Sequence, residues 1–305
     1  MRGVLSMWGV LLMGAFRLPG QVLLSLVLTT LFGCKTQVVV HTHKESRSLR
    51  SYRVYTAPSQ KQARSSPKAV LFVLHAYATD PEHLVDIFSL KKKAVADRGW
   101  LLVVPHGKSD DDGNPYWNAS RACCGTSSSK PDDLAYLEGV AADVRQRYQV
   151  DTKKEFAIGV SNGGFMAHRW ACAESGRLRA IVAISGVGPG PADPPCAPSH
   201  PVRVLQVHGD VDKTILYHGK RAGDETYPSA RETALEWARL NRLPDTPTVV
   251  KSSSFLLGDT RLETWHRGAD RVGLWTHIGG GHNLRWLRFE VSEILDFLDG
   301  EPLSP

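Results

Sequence analysis

Residues 156–168 read "FAIGVSNGGFMAH", an apolar run of strand length that ends at a glycine, passes through one serine and continues as a helix-like stretch. The pattern G-x-S-x-G at 159–163 indicates a tight strand-to-helix turn that lifts the hydroxyl of Ser161 above the carboxyl end of the strand. The flanking positions must be small, because the backbone passes close to itself at such a turn. The start of the following helix would then stabilise negative charge near the serine.

Strands and helices alternate on both sides of this turn. Continuous apolar runs of strand length occur at 69–76, 99–106, 155–160, 178–185 and 202–209, and two later strands are predicted at 260–267 and 272–278. Helical spacing is present at 80–98, 132–148, 162–175, 229–240 and 284–298. Apolar runs of this kind suit strands that are covered on both faces. The alternation therefore predicts an α/β fold, with a mostly parallel central sheet and helices on both faces.

Composition agrees with one catalytic domain, predicted at residues 51–300. The chain has 305 residues, enough for a single large core. Its net charge is +6, but the lysines and arginines are scattered, which indicates a solvated basic surface. No nucleic-acid partner is therefore predicted.

The first 34 residues are predicted to be an export signal. Two apolar stretches, 4–16 and 22–32, flank "RLPG", and each is shorter than a membrane span. The second stretch closes with "LFGC", which resembles a bacterial lipoprotein signal that ends at a lipidated Cys34. We therefore expect a protein that is lipid-anchored at the cell envelope or secreted, and that meets the membrane only through its lipidated N-terminus. The alternative is an uncleaved anchor helix, and residues 35–50 are expected to be a polar tether.

Cysteine usage favours two disulfides and no metal. Four cysteines follow Cys34, and an even count in an exported chain indicates a disulfide framework; they are Cys123, Cys124, Cys172 and Cys196. Of the three possible pairings, the one with a bridge between the adjacent cysteines is strained and least favoured. The other two stay open. No Cys-x-x-Cys or His-x-x-x-His spacing supports zinc, and the acidic run 109–114 is interpreted as a turn rather than a calcium loop.

A nucleophilic serine needs a base, and the base needs an acid that orients it. Folds of this class supply them later in the chain, in the order Ser, Asp, His. The end of the strand at 202–209 offers Asp210 and Asp212, and the last strand is followed by a glycine-rich turn with His282. Those glycines allow the imidazole to lie over Ser161.

The sequence resembles the secreted α/β-hydrolase esterases of the polyhydroxybutyrate depolymerase and feruloyl esterase type. The matching pieces span most of residues 50–300 and are "VLHAY" (73–77), "CCG" (123–125), "DDLAYLEGV" (132–140), "YQVDTKKEFAIGVSNGGFMAHRWAC" (148–172), "HGDVD" (208–212) and "GGGH" (279–282). The resemblance implies an α/β-hydrolase fold. Its H-G-x-x-D pattern selects Asp212 over Asp210 as the acid, and its G-G-G-H pattern selects His282 as the base. His277 is expected to be a sheet-face or packing residue.

The resemblance also implies where the oxyanion is held. One backbone N–H belongs to Asn162, directly after the serine, and the other to Ala76 or Tyr77, in the loop after the first buried strand. His75 is expected to shape this loop.

Tyr116 and Trp117 lie in the segment before the paired cysteines. They are expected either to pack in the core or to form a wall of the acyl pocket, as the resemblance favours.

The expected activity is that of a serine carboxylesterase without metal or organic cofactor, acting through an acyl-enzyme. The connection at 186–201 is proline-rich and too short for a helical lid, so the expected substrate is a small-molecule or polymer-attached ester. Two alternatives stay open. One is a catalytically silent cell-surface binding protein of this fold, and the other is a serine peptidase of this fold.

Overall fold

The computed structural model describes residues 36–44, 49–57, 68–124, 128, 130–173, 177–223, 225–255, 258–282 and 290–303. The predicted signal with Cys34 lies outside these residues, as does the segment 283–289, where the last helix is predicted to begin. Within the described ranges, no helix combines the length and the apolarity that crossing a bilayer requires.

A large sheet forms the centre of the molecule. In chain order the strands are β1 (Gln37–Lys44), β2 (Leu49–Thr56), β3 (Lys68–Leu74), β4 (Leu101–Pro105), β5 (Lys108–Ser109), β6 (Pro115–Tyr116), β7 (Val150–Val160), β8 (Ala180–Ile184), β9 (Arg203–Gly209), β10 (Val249–Phe255), β11 (Gly258–Arg267) and β12 (Asp270–His277). β5 and β6 pair only with each other. The remaining ten form one sheet in the order β1-β2-β4-β3-β7-β8-β9-β12-β11-β10.

The middle of this sheet is parallel. Strands β4, β3, β7, β8, β9 and β12 pair in parallel, and antiparallel pairs extend both edges. Because parallel strands end at the same edge, the loops after β3, β7, β9 and β12 come together there. That edge carries the predicted site residues.

Helices cover both faces, as the sequence predicts. They are α1 (His83–Ile87), a π-helical turn (Lys91–Ala96), α2 (Asp133–Arg147), α3 (Asn162–Cys172), α4 (Ala230–Leu240) and α5 (Val291–Asp299). Side chains alternate along a strand, so β3 serves two apolar cores. Phe72 packs in the core that contains α2, α3 and α4, and Leu71 packs in the core that contains α1, the π-helical turn and α5.

Two of the helices that cover the sheet, α2 and α4, begin at side-chain caps. Asp132 accepts a hydrogen bond from the N–H of Ala135 at the start of α2. Ser229 and Glu232 form a capping box at the start of α4, which satisfies two N–H groups that a helix start leaves free. Both starts lie where helical spacing predicts them.

Two predicted elements differ from the structure. The predicted tether at 35–50 contains β1, which pairs along its whole length with β2 and buries His41 against Tyr148. This strand contains three consecutive valines, which favour extended backbone, and β2 supplies its hydrogen-bond partners. The helix predicted at 80–98 is broken at Ser89, whose φ of 53° is incompatible with a continuous helix.

Candidate active site

The turn around Ser161 has the geometry that its glycines predict. Ser161 has φ 52° and ψ −117° between the end of β7 and the start of α3. A Cβ atom on Gly159 would lie 2.0 Å from the carbonyl oxygen of Gly163, so a side chain is excluded there. A non-glycine residue at positive φ is strained, and such strain concentrates at functional sites.

Neighbouring backbone packs tightly against this turn. A Cβ on Gly163 would lie 2.1 Å from the oxygen of Leu74, at the end of β3. A Cβ on Gly186 would lie 2.5 Å from the oxygen of Ser161. The N–H of Ser161 donates to Ile184 across a distance of 2.7 Å. The serine is therefore held between the ends of β3 and β8.

The structure brings the three predicted triad residues together. His282 Nε2 lies 3.1 Å from Ser161 Oγ, and His282 Nδ1 lies 2.7 Å from Asp212 Oδ2. Ser161 and Asp212 are 7% and 4% exposed, so water competes weakly for these contacts. This is the spatial order nucleophile, base and orienting acid.

Asp212 is a buried carboxylate with donors on both oxygens. Oδ1 accepts the N–H groups of Thr214 and Ile215 at 2.8 and 3.0 Å. Oδ2 faces both His282 and His208, at 2.7 and 3.3 Å. Burial raises the pKa of Asp212, but hydrogen bonds from His208, His282 and Thr214 outweigh it and hold the pKa well below its usual range. Asp212 is therefore ionised at neutral pH.

Asp210 has a different position. Its Oδ1 accepts the N–H of Gly279 at 2.6 Å, which holds the loop that leads to His282. A Cβ on Gly209 would lie 2.1 Å from the oxygen of Gly280, so the two loops meet as closely as backbone allows. Asp212 rather than Asp210 contacts the imidazole, as H-G-x-x-D predicts.

The predicted oxyanion residues lie next to the serine. Asn162 is the first residue of α3, where N–H groups have no intrahelical partner. Its side chain is fixed by Trp117, whose N–H donates to Oδ1 at 2.7 Å and whose carbonyl accepts from Nδ2 at 2.9 Å. The loop with Ala76 and Tyr77 follows β3, whose end touches the start of α3.

His75 shapes that loop, as expected. Its Nε2 accepts the N–H of Gly107 at 3.0 Å, so Nδ1 carries the proton and donates to the oxygen of Ala76 at 2.9 Å. Burial lowers the pKa of His75 to about 4, which keeps the ring neutral. The Trp117 indole donates to the carbonyl of His75 at 3.1 Å. His277, also expected to be structural, lies 3.2 Å from Glu290.

Tyr116 and Trp117 pack in the core, which is one of the two expectations for them, and a role in a substrate pocket stays a prediction. The two residues are 3% and 0% exposed. Trp117 belongs to the core that contains α2, α3 and α4, and its backbone N–H and carbonyl bond the side chain of Asn162. A separate recess of about 80 Å³ follows one face of α3; its lining residues include Phe165, Arg169, Val187 and Pro194, and none of the triad residues lines it.

The cysteines form two disulfides, but their pairing is the one least favoured from sequence. Cys123 pairs with the adjacent Cys124, and Cys172 pairs with Cys196. The second bridge ties the end of α3 to the proline-rich connection after β8. The first bridge does not join the loop to another segment, and it lies under Asn162, whose Nδ2 is 3.9 Å from Cys123 Sγ. Because Cys172 pairs with Cys196, Cys123 and Cys124 remain to pair with each other.

Sequence reasoning missed His168, Gln206 and His208, which lie behind the acid. A signal was present: "VLQVHG" places two polar residues at alternate positions of a buried strand. Across the described part of the chain, no cluster of three or more His, Cys, Asp or Glu side chains could hold a metal ion.

No known family model matches the chain. Among curated proteins, the chain is similar to feruloyl esterase B of Piromyces equi, at 24% identity over 62% of this chain and 35% of that protein. It is also similar to the putative esterase NocK of Nocardia uniformis, at 26% identity over 56% of this chain and 47% of that protein. Feruloyl esterase C of Emericella nidulans matches at 24% identity, over 51% of this chain and 53% of that protein. The chain thus spans between about a third and a half of the length of these relatives.

Solved structures share the fold. The S-formylglutathione hydrolase of Agrobacterium tumefaciens superimposes with a TM-score of 0.58 at 14% identity, over 91% of this chain and 99% of that chain. The acetyl xylan esterase of Aspergillus awamori superimposes with a TM-score of 0.56 at 13% identity, over 86% and 99%. The chain has the α/β-hydrolase fold, which confirms the predicted fold class. The curated relatives confirm the resemblance to esterases of the feruloyl esterase type.

Proposed function

We propose that the protein is a serine carboxylesterase in which Ser161 is the nucleophile, His282 the base and Asp212 the orienting acid. The observation that carries the proposal is the unbroken hydrogen-bonded line from Ser161 Oγ through both ring nitrogens of His282 to the Asp212 carboxylate. Relatives named as esterases support the choice of an ester as substrate.

The carboxylate sets the direction of proton transfer. Ionised Asp212 only accepts hydrogen bonds, so His282 carries its proton on Nδ1. The lone pair of Nε2 then faces the hydroxyl of Ser161, which donates to it. His282 is therefore set to take the serine proton as the nucleophile attacks.

Each half of the reaction passes a tetrahedral intermediate. Ser161 Oγ bonds to the ester carbonyl carbon, its proton moves to His282 Nε2, and the carbonyl electron pair moves to oxygen. The N–H of Asn162 and an N–H of Ala76 or Tyr77 stabilise that oxyanion. The intermediate collapses, the alcohol leaves with the proton from His282, and water then repeats the steps to release the acid.

The surroundings favour an accessible ester. The described connection between β8 and β9 contains no helix, so no helical lid lies over the serine from that side. A bulky or polymer-attached ester can therefore approach Ser161 from that side without displacing a helical lid.

We further propose that the protein is exported and lipidated at Cys34. The two disulfides support an oxidising compartment, since such bonds persist mainly outside the cytosol. An enzyme anchored in this way would meet a small-molecule or polymer-attached ester at the cell envelope.

A fluorophosphonate probe and a panel of acetyl, feruloyl, butyryl and hydroxybutyrate esters test the activity. The wild type should be labelled and active, and Ser161→Ala should be neither. Ser185→Ala is the matched control, because Ser185 also has positive φ, at 51°, after the adjacent strand β8. It should keep both labelling and turnover. Absence of labelling and turnover from a folded wild type would favour the silent binding protein, and cleavage of peptides but not esters would favour the peptidase.

A further inference from the structure

A line of buried polar side chains lies behind the acid. Gln206 and His208 alternate on β9, so both point to the face covered by α3 and α4. His168 of α3 and Trp237 of α4 complete the line, and these four side chains are at most 1% exposed. Buried polar groups are costly unless they are hydrogen-bonded, and each of these four is.

The end of the line farthest from Asp212 is Trp237, whose indole N–H can donate a hydrogen bond but cannot accept one. The indole N–H of Trp237 donates to His168 Nδ1 across 2.9 Å. His168 therefore carries its proton on Nε2, which lies 2.9 Å from Gln206 Oε1. Burial lowers the pKa of His168 to about 4, so the ring stays neutral and keeps this single proton.

The near end of the line is the acid. The two hydrogens of the Gln206 amide are directed to the oxygen of Gly186 at 2.7 Å and to His208 Nδ1 at 3.3 Å. His208 therefore carries its proton on Nε2, which lies 2.8 Å from the oxygen of Ile215 and 3.3 Å from Asp212 Oδ2. The protons of Trp237 and His168 and one amide proton of Gln206 thus follow one direction along the line, and the His208 proton lies between the oxygen of Ile215 and Asp212 Oδ2.

A donor at one end and an anion at the other allow only one arrangement of protons between them. Such hydrogen bonds polarise one another in a medium of low dielectric constant. The line also joins α3, which begins at the nucleophile, to the loop that carries the acid. Through Gly186 it reaches the backbone behind Ser161.

We propose that Trp237, His168, Gln206 and His208 form a buried hydrogen-bond chain that positions the Asp212 carboxylate for His282. His208 acts directly on Oδ2, and the other three act through it by fixing its tautomer. The inference rests on the proposed esterase function. It assigns positioning residues to that function.

The proposed hydrogen-bond chain predicts how far kcat should fall in each variant. Losing the donor of His208 removes one hydrogen bond to a charged group and should lower kcat about 10- to 100-fold. KM should stay within about twofold of the wild type, because the chain does not contact substrate. Gln206→Glu should also lower kcat, because a carboxylate oxygen cannot donate to His208 Nδ1 and the tautomer of His208 would reverse.

The experiment compares His208→Leu with His208→Gln on a short nitrophenyl ester, with Tm measured for every variant. Glutamine keeps one donor and one acceptor, so it should restore kcat to within about threefold of the wild type. His41→Leu is the control for losing a buried histidine, because His41 is 6% exposed and bonds Tyr148 at the far edge of the sheet. It should lower Tm and leave kcat unchanged.

Two results would overturn the proposal. One is a His208→Leu enzyme with wild-type kcat, and the other is a folded His208→Gln enzyme as slow as His208→Leu. If His208→Leu does not fold, wild-type kcat in Gln206→Glu overturns it instead. Failure of the proposed function is distinct, since the wild type itself would then lack turnover and fluorophosphonate labelling, and the positioning role would fall with it.

Discussion

Replacing Asp212 with asparagine tests the site most sharply, because the structure dictates how the new amide must lie. Oδ1 of Asp212 accepts two backbone N–H groups, from Thr214 and Ile215. In Asp212→Asn the amide oxygen must keep those two bonds. The NH₂ group is therefore turned towards His282 and His208, where the wild type has Oδ2.

That NH₂ group can only donate. His282 Nδ1 must then become an acceptor, which moves the proton to Nε2, facing Ser161. An imidazole in this tautomer cannot accept the serine proton. Loss of the correct tautomer in a serine-histidine-aspartate site lowers kcat by on the order of 10³- to 10⁴-fold, or about 4–5.5 kcal/mol of transition-state stabilisation.

The assay is steady-state hydrolysis of a short nitrophenyl ester, with circular dichroism as the folding check. Asp210→Asn is the matched control, because Asp210 accepts only the N–H of Gly279 in the described structure and asparagine can accept it equally. We expect its kcat to stay within about threefold of the wild type. A larger loss from Asp210→Asn than from Asp212→Asn would refute the assignment of the acid and the tautomer argument together.

Four further predictions concern stability, redox state and processing. Gly163→Ala should fail to fold or lose activity, since its Cβ would lie 2.1 Å from the oxygen of Leu74. Soluble expression beside Gly113→Ala checks this, because a Cβ at 113 meets open space and is strained only by the φ of +86°. Cys172→Ser should lower the free energy of unfolding by about 2–4 kcal/mol in urea titrations, and an unchanged midpoint would contradict a bracing role for the bridge to Cys196. His75 and His168 have folded-state pKa values of about 4, below the ordinary 6.5, so protons favour the unfolded chain. Their contribution to the free energy of unfolding should therefore be fully present above about pH 6.5 and be lost as the pH falls towards about 4. A urea midpoint that does not change across this window would exclude the effect. Mass spectrometry of the protein from its native host should find lipid on an N-terminal Cys34, and an unacylated chain starting elsewhere would reject that prediction.

The sequence alone determined the parts of this protein that depend on local backbone. Strands buried on both faces and helices with one apolar side appear as periodic patterns within short windows. The turn at Ser161 could be predicted because close backbone contact requires glycine at 159 and 163, and G-x-S-x-G shows it directly. The order of strands in a parallel sheet then brings Asp212 and His282 to the same edge. The choice of Asp212 over Asp210 needed a family resemblance, because the two carboxylates are only two residues apart.

Only the tertiary structure decided how side chains from distant segments pair. Trp117 could line a pocket or pack inside, and the structure buries it in the core, where its backbone bonds the side chain of Asn162, 45 residues away. The pairing of Cys123 with Cys124 likewise depends on which segments surround them. The hydrogen-bond chain behind Asp212 joins Trp237 to His168, 69 positions apart, and His168 to Gln206, 38 positions apart. No window of sequence contains both members of such a pair, because the order of strands in the sheet, rather than the order of residues, brings them into contact.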